Sequence, residues 1–348
     1  MDQNLHYSQP QPMWKHISQV REEGIKYMDL RQRGIITSLK TPWRTVDDRG
    51  VDGFEWGNVI TIGAMSSTGK TTFINQLTRS AFKNNPKQRF AVLDFQFEMS
   101  STTTAVREFS SVLNLSYKQL LNADKEFPLQ QSTIADARYY SAQHQGDLIF
   151  QVEVPQNVAG IEAQIALFAD FIKMPFVITL DHSVLVEGVG FEKEREILND
   201  LGKMATRIKK TYSVIVIILT QMNRSLEETN RTNPGTIGNY PKKADIFGGD
   251  GLYQHSDMVI ILHRPSLLNL PYYGPNEYIV HPSLIFAHFL KVRNGIPDVT
   301  FFMEDFANMR FLETIEPQTR TNTQSGSSSG ISTANNTGGS QYQRKSRP

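Results

Sequence analysis

The segment Ala64-Met65-Ser66-Ser67-Thr68-Gly69-Lys70-Thr71-Thr72 limits the folds open to this chain more than any other stretch. It follows an apolar, β-branched run (59–63) and precedes residues with helical spacing, so it forms the turn between a buried strand and a helix. A Walker A phosphate loop needs that context. Main-chain amides of the loop and of the helix start cradle the β- and γ-phosphates, Lys70 adds a point charge, and the Thr71 hydroxyl holds Mg²⁺. An ordinary glycine-containing turn has no reason to carry lysine and threonine in this register. Ala64, Ser66, Ser67, Thr68, Gly69, Lys70, Thr71 and Thr72 are therefore the candidate ATP-binding residues. Ala64 stands where the simple pattern has glycine, with Gly63 just before it supplying local freedom.

Downstream, short β-rich runs alternate with longer helical segments, which predicts an α/β fold: a mostly parallel central sheet flanked by helices. Strands are expected at 59–63, 90–95, 148–152, 176–180, 213–219, 258–263 and 285–290, and helices after Lys70, Ser100, Asn157 and Phe191. Before the domain, Trp14, Ile17, Val20, Ile25 and Met28 recur at roughly helical spacing, predicting an amphipathic helix within 13–33 whose apolar face needs a partner. Residues 1–12 are read as a flexible start and 34–315 as one domain. The stretch 316–348 is rich in Thr, Ser, Gly, Asn and Gln with almost nothing apolar, and it is expected to be a disordered tail.

Composition adds mainly exclusions. Lys and Arg number 36 against 35 Asp and Glu, so the chain as a whole is not a general polyanion binder, and any nucleic-acid contact must come from local charge. With no cysteine there is no disulfide, thiol nucleophile or cysteine-ligated zinc, and a cytoplasmic location is the natural expectation. The polar start does not read as a signal peptide, and the longest aliphatic run, 214–219, is too short to span a bilayer, so no membrane partner is expected.

Nucleotide hydrolysis of this kind needs one carboxylate near the metal and another to polarise water, each delivered from the end of a buried strand. The run 176–180 ends in Asp181, placing that carboxylate beside the Mg²⁺–Thr71 pair in the manner of a Walker B strand. The run 91–97 ends in Glu98, the candidate general base, while Asp94 falls inside the strand and is the lesser choice. Either carboxylate alone reads as a solvated strand end; their joint spacing behind a phosphate loop gives them chemistry.

Taken in order, these motifs resemble the motor domain of the DnaB-type replicative helicases, with the resemblance running from about Gly34 to Glu313. It implies a RecA-like P-loop NTPase fold with an N-terminal linker helix. Alanine at the first loop position is common in that family. Phe97-Glu98-Met99-Ser100 is similar to the segment carrying its catalytic glutamate, and Gln221-Met222-Asn223-Arg224-Ser225-Leu226-Glu227 to its most recognisable signature, in which Gln221 senses the γ-phosphate. Lys291-Val292-Arg293-Asn294-Gly295 resembles a basic element that reaches into the neighbouring subunit's ATP site, with Arg293 as the finger and Lys291 beside it. Residues 245–257 are similar to the family's DNA-touching loop, but Phe247-Gly248-Gly249-Asp250 stands where an Arg-Glu-Ser-Gly is usual. Backbone at Gly248 and Gly249, with Arg231, Lys242 and Lys243, remains the candidate grip on phosphate oxygens, against the plainer reading of solvated loop charges.

The resemblance further implies a homo-hexamer around single-stranded DNA and a linker helix docked on the adjacent subunit; a primase, a helicase loader or a single-strand-binding protein is a further candidate partner, the last through Arg344, Lys345 and Arg347 of the tail, against the plainer reading of a passive solvated tail. Only 63 residues precede the phosphate loop, leaving no counterpart of the family's N-terminal domain, an organisation expected of a phage or plasmid system. Two other readings remain open from sequence: a RecA-like DNA-associated or regulatory assembly ATPase without unwinding, and a non-catalytic nucleotide-gated module.

Overall fold

The computed structural model describes residues 14–122, 128–181, 186–188, 193–232, 239–247 and 250–320. The expected flexible start, Gly248, Gly249 and the tail beyond 320 lie outside the described residues. In chain order the elements are α1 (Ile17–Gln32), α2 (Arg44–Asp47), β1 (Val59–Ala64), α3 (Lys70–Asn84), β2 (Ala91–Gln96), α4 (Ser101–Leu113), α5 (Tyr117–Leu121), α6 (Gln131–Gln143), β3 (Ile149–Val152), α7 (Val158–Ile172) and β4 (Phe176–Asp181). There follow α8 (Glu194–Thr211), β5 (Val214–Gln221), α9 (Thr229–Thr232), α10 (Asp250–His255), β6 (Met258–His263), β7 (Tyr272–Tyr273), β8 (Tyr278–Ile279), β9 (Leu284–Val292), β10 (Val299–Asp305) and β11 (Arg310–Glu313).

Among the described residues, nine strands form one sheet in the order β11-β10-β9-β6-β1-β5-β4-β2-β3. From β6 to β3 neighbours run parallel; β9, β10 and β11 add an antiparallel edge. Every residue of β1, β2, β4 and β6 is buried, which is why these segments read as mostly apolar runs, with Asp94 and Gln96 the polar exceptions in β2. Along β5, Ile215, Ile217 and Leu219 join one core, Val214, Val216 and Ile218 the other. That is the period of two of a strand covered on both faces. Phe73, Ile74 and Leu77 of α3 fill the first core; Leu198, Leu201 and Ala205 of α8 fill the second. Phe73 stacks on Trp43 with ring centroids 4.1 Å apart, so its truncation to alanine is expected to cost about 3–5 kcal/mol.

The seven expected strands are β1 to β6 and β9, and the four expected helices are α3, α4, α7 and α8, with ends moved by a few residues. The antiparallel additions β10 and β11 and the helices α5 and α6 were not expected. At the C-terminal end the chain is still hydrogen-bonded past 316: Ile279 N–H donates to the Gln318 carbonyl at 2.8 Å and Arg320 N–H to that of Glu277 at 3.1 Å. The early helix forms as α1, yet none of its residues is buried, and Trp14, Ile17, Val20, Ile25 and Met28 are all exposed.

This topology places the site. Ala64, Gln96, Asp181 and Gln221 are the last residues of β1, β2, β4 and β5, aligned by the register pairs Ala64–Gln221 and Gln96–Asp181. The carboxyl edge of such a sheet is where open α/β folds bind ligands.

Candidate nucleotide site

The phosphate loop curls between β1 and α3 through two left-handed residues, Ser67 at φ 62° and Gly69 at φ 93°. Gly69 caps α3 without any side-chain hydrogen bond, and the first turn carries no acidic residue. The first amides of a 15-residue helix are thus left for an anion. Lys70, the first residue of α3, is buried to 8 % exposure. Burial lowers its pKa, while the Asp181 and Glu98 carboxylates pull it back up, as expected of an ammonium kept in a dry pocket between two acids.

Asp181 lies 2 % exposed at the tip of β4. Its Oδ2 accepts from the Thr71 hydroxyl at 2.7 Å, and its Oδ1 is buried without a hydrogen-bond partner among the described residues. Burial pushes its carboxyl up to about 6, with Glu98 and Asp94 adding to the rise and Thr71 opposing it. A buried oxygen with nothing to bind is costly, and here it sits beside a hydroxyl at the mouth of an anion cradle. Those donors fit a hard divalent cation such as Mg²⁺, which binds through a few protein oxygens and the substrate's phosphates. Thr68 Oγ1 is likewise buried and unpartnered in the loop.

Glu98 stands exposed two residues beyond β2; the ladder continues to its neighbour, because Phe97 N–H donates to the Asp181 carbonyl at 2.8 Å. Asp94 is fully buried, and its oxygens are taken up by Thr179, Gln96 and Gln151. Burial raises its pKa, and no path to an attacking water is left to it.

Gln221 ends β5 beside Ala64. The following residues are zipped to a second segment: Met222 N–H donates to the Ala64 carbonyl at 3.1 Å, Asn223 N–H to Asp245 at 2.6 Å, and Phe247 N–H to the Gln221 carbonyl at 2.9 Å. The stretch bearing Lys242, Lys243 and Phe247 is therefore tied by backbone bonds to the strand next to the phosphate loop. Lys242 and Lys243 are exposed, Lys243 lying 5.1 Å over the Tyr253 ring. Arg231 is different: it makes a two-pronged pair with Asp245, at 2.5 and 2.9 Å, with only 17 % and 5 % of the side chains exposed. It is a buried brace of this segment and not one of its solvated cations.

Arg293 is at the other end of the sheet. Its guanidinium pairs at 2.8 Å with Asp257, whose second carboxylate oxygen accepts from the first amide of β1 at 2.8 Å. The six residues of β1 separate that point from the phosphate loop by roughly 16 Å. Arg293 thus cannot serve its own loop, and it remains 56 % exposed. Lys291 donates to the Tyr253 and Gln254 carbonyls at the end of α10, at 2.8 and 3.3 Å. Burial lowers its pKa and Arg293 adds to the effect.

Two residues near the loop carried no sequence signal. Phe306, in the turn between β10 and β11, lies so close to Gly69 that a Cβ there would fall 2.5 Å from its ring, and the Arg264 guanidinium stacks 5.4 Å over the same ring. Gln76 of α3 fixes that turn by bonds to Phe311, donating to its carbonyl at 3.1 Å and accepting from its amide at 2.7 Å. A lone loop aromatic 237 positions from its glycine partner has no local pattern.

Comparison with known proteins bears on the fold and the family. The replicative DNA helicase DnaB of Helicobacter pylori is 24% identical over 255 residues, covering 72% of this chain and 49% of the relative. The chain therefore spans about half the length of that relative. A solved ATPase domain superposes with a TM-score of 0.71 at 15% identity, over 85% of this chain and 99% of the other. A DnaB-like replicative helicase, studied for its interactions with primase, gives 0.69 at 16% identity over 84% of this chain and 66% of its own. At such identities these structures show the fold, a RecA-like ATPase domain. Residues 38–302 match the DnaB-like helicase C terminal domain, and the chain belongs to that family.

Proposed function

We propose that this chain is the ATP-hydrolysing motor of a replicative DNA helicase, acting as a ring whose active sites are shared between subunits. The observation that carries the reading is that the candidate phosphate-binding residues and the candidate arginine finger lie at opposite ends of β1. Lys70, Thr71, Asp181 and Glu98 gather at its carboxyl end, and an exposed Arg293 is held at its amino end. One half of the machinery becomes useful only when a second copy brings the other.

In this reading the loop amides and Lys70 hold the phosphates, and Thr71 with Asp181 holds Mg²⁺, which when bound neutralises charge on the phosphoryl oxygens. Glu98, on the solvent side of the loop, orients the attacking water. Arg293 from the adjacent subunit stabilises the charge that develops on the transferring group, an effect worth about three to five orders of magnitude in rate in comparable enzymes. Gln221 senses the γ-phosphate and passes its presence along the zipped backbone to the segment with Lys242, Lys243 and Phe247. With Gly248 and Gly249, that segment is our candidate contact to single-stranded DNA.

Ring closure has a physical basis in α1. In this reading its exposed apolar residues dock into the apolar groove between α4, α5 and α6, walled by Phe109, Leu113, Leu120, Leu121 and Ile134. A head-to-tail contact of α1 with that groove on the next copy generates a closed rotational assembly. Among the described residues, no helix is long and apolar enough to cross a membrane. Primase, a loader or a single-strand-binding protein are the partners we expect of such a motor. The test is unwinding of a labelled forked duplex, with ATPase recorded with and without single-stranded DNA. DNA-stimulated hydrolysis with unwinding supports the helicase; hydrolysis without unwinding after loading onto the fork assigns the chain to the assembly ATPases.

A further inference from the structure

Gln96 has no part in the motifs, yet it is 2 % exposed and fully used. Its side-chain oxygen accepts from the Thr104 hydroxyl of α4 at 2.5 Å. Its amide nitrogen donates to Asn75 Oδ1 of α3 at 3.2 Å and to Asp94 Oδ2 at 2.8 Å. Asp94 accepts in turn from Thr179 of β4 and Gln151 of β3. One buried amide therefore joins two helices to the sheet, with both its donors and its acceptor satisfied.

Its position is what matters. Gln96 is the last residue of β2 and pairs in register with Asp181. Asn75 lies one helical turn beyond Thr71, so α3 meets the sheet edge on two successive rungs, Thr71 with Asp181 and Asn75 with Gln96. Thr104 lies four residues beyond Ser100, the N-cap of α4, whose hydroxyl accepts from Thr103 N–H. The Gln96–Thr104 bond thus closes both ends of the loop 96–104, and Glu98 sits inside it. Outside the clasp, a cavity of about 310 Å³ lies between α3 and α4. The Arg79–Glu108 pair at 3.3 Å also spans α3 and α4, and α4 is held in addition by the Ser101 amide on Glu153 and the Ser110 hydroxyl on the Ala307 carbonyl.

We propose that Gln96, through Thr104 and Asn75, is a positioning residue for hydrolysis: it fixes where Glu98 stands relative to the phosphate loop without touching nucleotide. The inference rests on the reading of Glu98 as the group that orients water. A bound geometry displaced by about 1 Å lowers the rate on the order of a hundredfold while leaving the phosphate contacts in place.

The test uses the full chain, assembled with ATP and single-stranded DNA. Thr104→Val keeps the shape and removes the donor; Thr104→Ser restores it; Gln96→Leu removes the hub; Glu98→Gln serves as reference. Affinity for a non-hydrolysable ATP analogue is measured beside kcat. The clasp predicts that Thr104→Val lowers kcat about tenfold to a hundredfold with analogue affinity unchanged, and that Thr104→Ser recovers most of the rate. Wild-type kcat in a folded Thr104→Val, or a parallel loss of affinity and kcat that Thr104→Ser does not reverse, overturns it. If Glu98→Gln hydrolyses at the wild-type rate, the base assignment itself is wrong; if only Glu98→Gln is inactive, the base stands and the clasp falls.

Discussion

Thr71 and Asp181 meet at 2.7 Å, the hydroxyl donating to one oxygen of a carboxylate whose other oxygen is buried without a partner. A strand tip and a helix start have been brought together around a group that neither of them satisfies. In the metal-free protein this arrangement is a liability, and its cost can be read from the proton it holds.

Burial raises the Asp181 carboxyl from the ordinary 3.8 to about 6. The folded state therefore binds this proton more tightly than the unfolded chain does. The contribution becomes unfavourable as pH rises from about 4 to about 6 and remains so above, by on the order of 2–3 kcal/mol. Asp181→Asn should remove that penalty. We expect its nucleotide- and metal-free form to melt several degrees above wild type at pH 7.5, the gap closing toward pH 4, while Mg²⁺-dependent hydrolysis is lost. Asp47, also raised to about 6 by burial, and Asp94, raised by burial as well, contribute to the slope that remains. Equal melting temperatures of variant and wild type across this range would contradict the account.

Arg231 and the neighbouring lysines should separate cleanly. Removing Arg231 strands the 3 % exposed Asp245, so Arg231→Ala is expected to cost about 3–5 kcal/mol of stability, seen as a lower denaturant midpoint. Lys242→Ala and Lys243→Ala should leave that midpoint in place and weaken single-stranded DNA binding. Each should reduce the salt slope of binding by about 1. A stable Arg231→Ala with a selective DNA defect would return the arginine to the DNA-contact set.

Legibility followed burial pattern and local spacing. The strands β1, β2, β4, β5 and β6 were visible because both faces are covered, and the phosphate loop because nine consecutive residues carry it. β10 alternates between buried and half-buried positions and ends in Glu304 and Asp305, while β11 has only four residues; neither produces an apolar run longer than the three residues 301–303. No residue of α6 is buried, so its sequence lacks an apolar stripe. The candidates Glu98, Asp181 and Arg293 are read from motifs, but the Gln96 clasp and the Phe306–Gly69 contact depend on side chains meeting across the fold. Likewise, a charge count cannot distinguish Arg231 from Lys242; only the buried carboxylate of Asp245 does.

The exposed face of α1 makes a prediction about assembly. Ile25 and Met28 are 54 % and 61 % exposed and touch no core. Ile25→Asp should leave the melting temperature of the subunit within about 0.5 kcal/mol of wild type in stability terms, and shift the particle mass in light scattering from a ring toward single subunits, with ATPase falling in step. A ring that persists in Ile25→Asp and in a Leu120→Asp groove variant would place the subunit contact elsewhere.

The most direct test of a site shared between subunits is complementation. Lys70→Ala removes the phosphate-binding half and leaves Arg293 intact; Arg293→Ala does the reverse. Each variant alone should hydrolyse ATP at a small fraction of the wild-type rate. Mixed and allowed to exchange subunits, they should regain DNA-stimulated ATPase, because a Lys70→Ala subunit lends its arginine to the intact phosphate loop of its neighbour. A mixed ring that stays inactive, or an Arg293→Ala protein that turns over at the wild-type rate, would contradict the composite site.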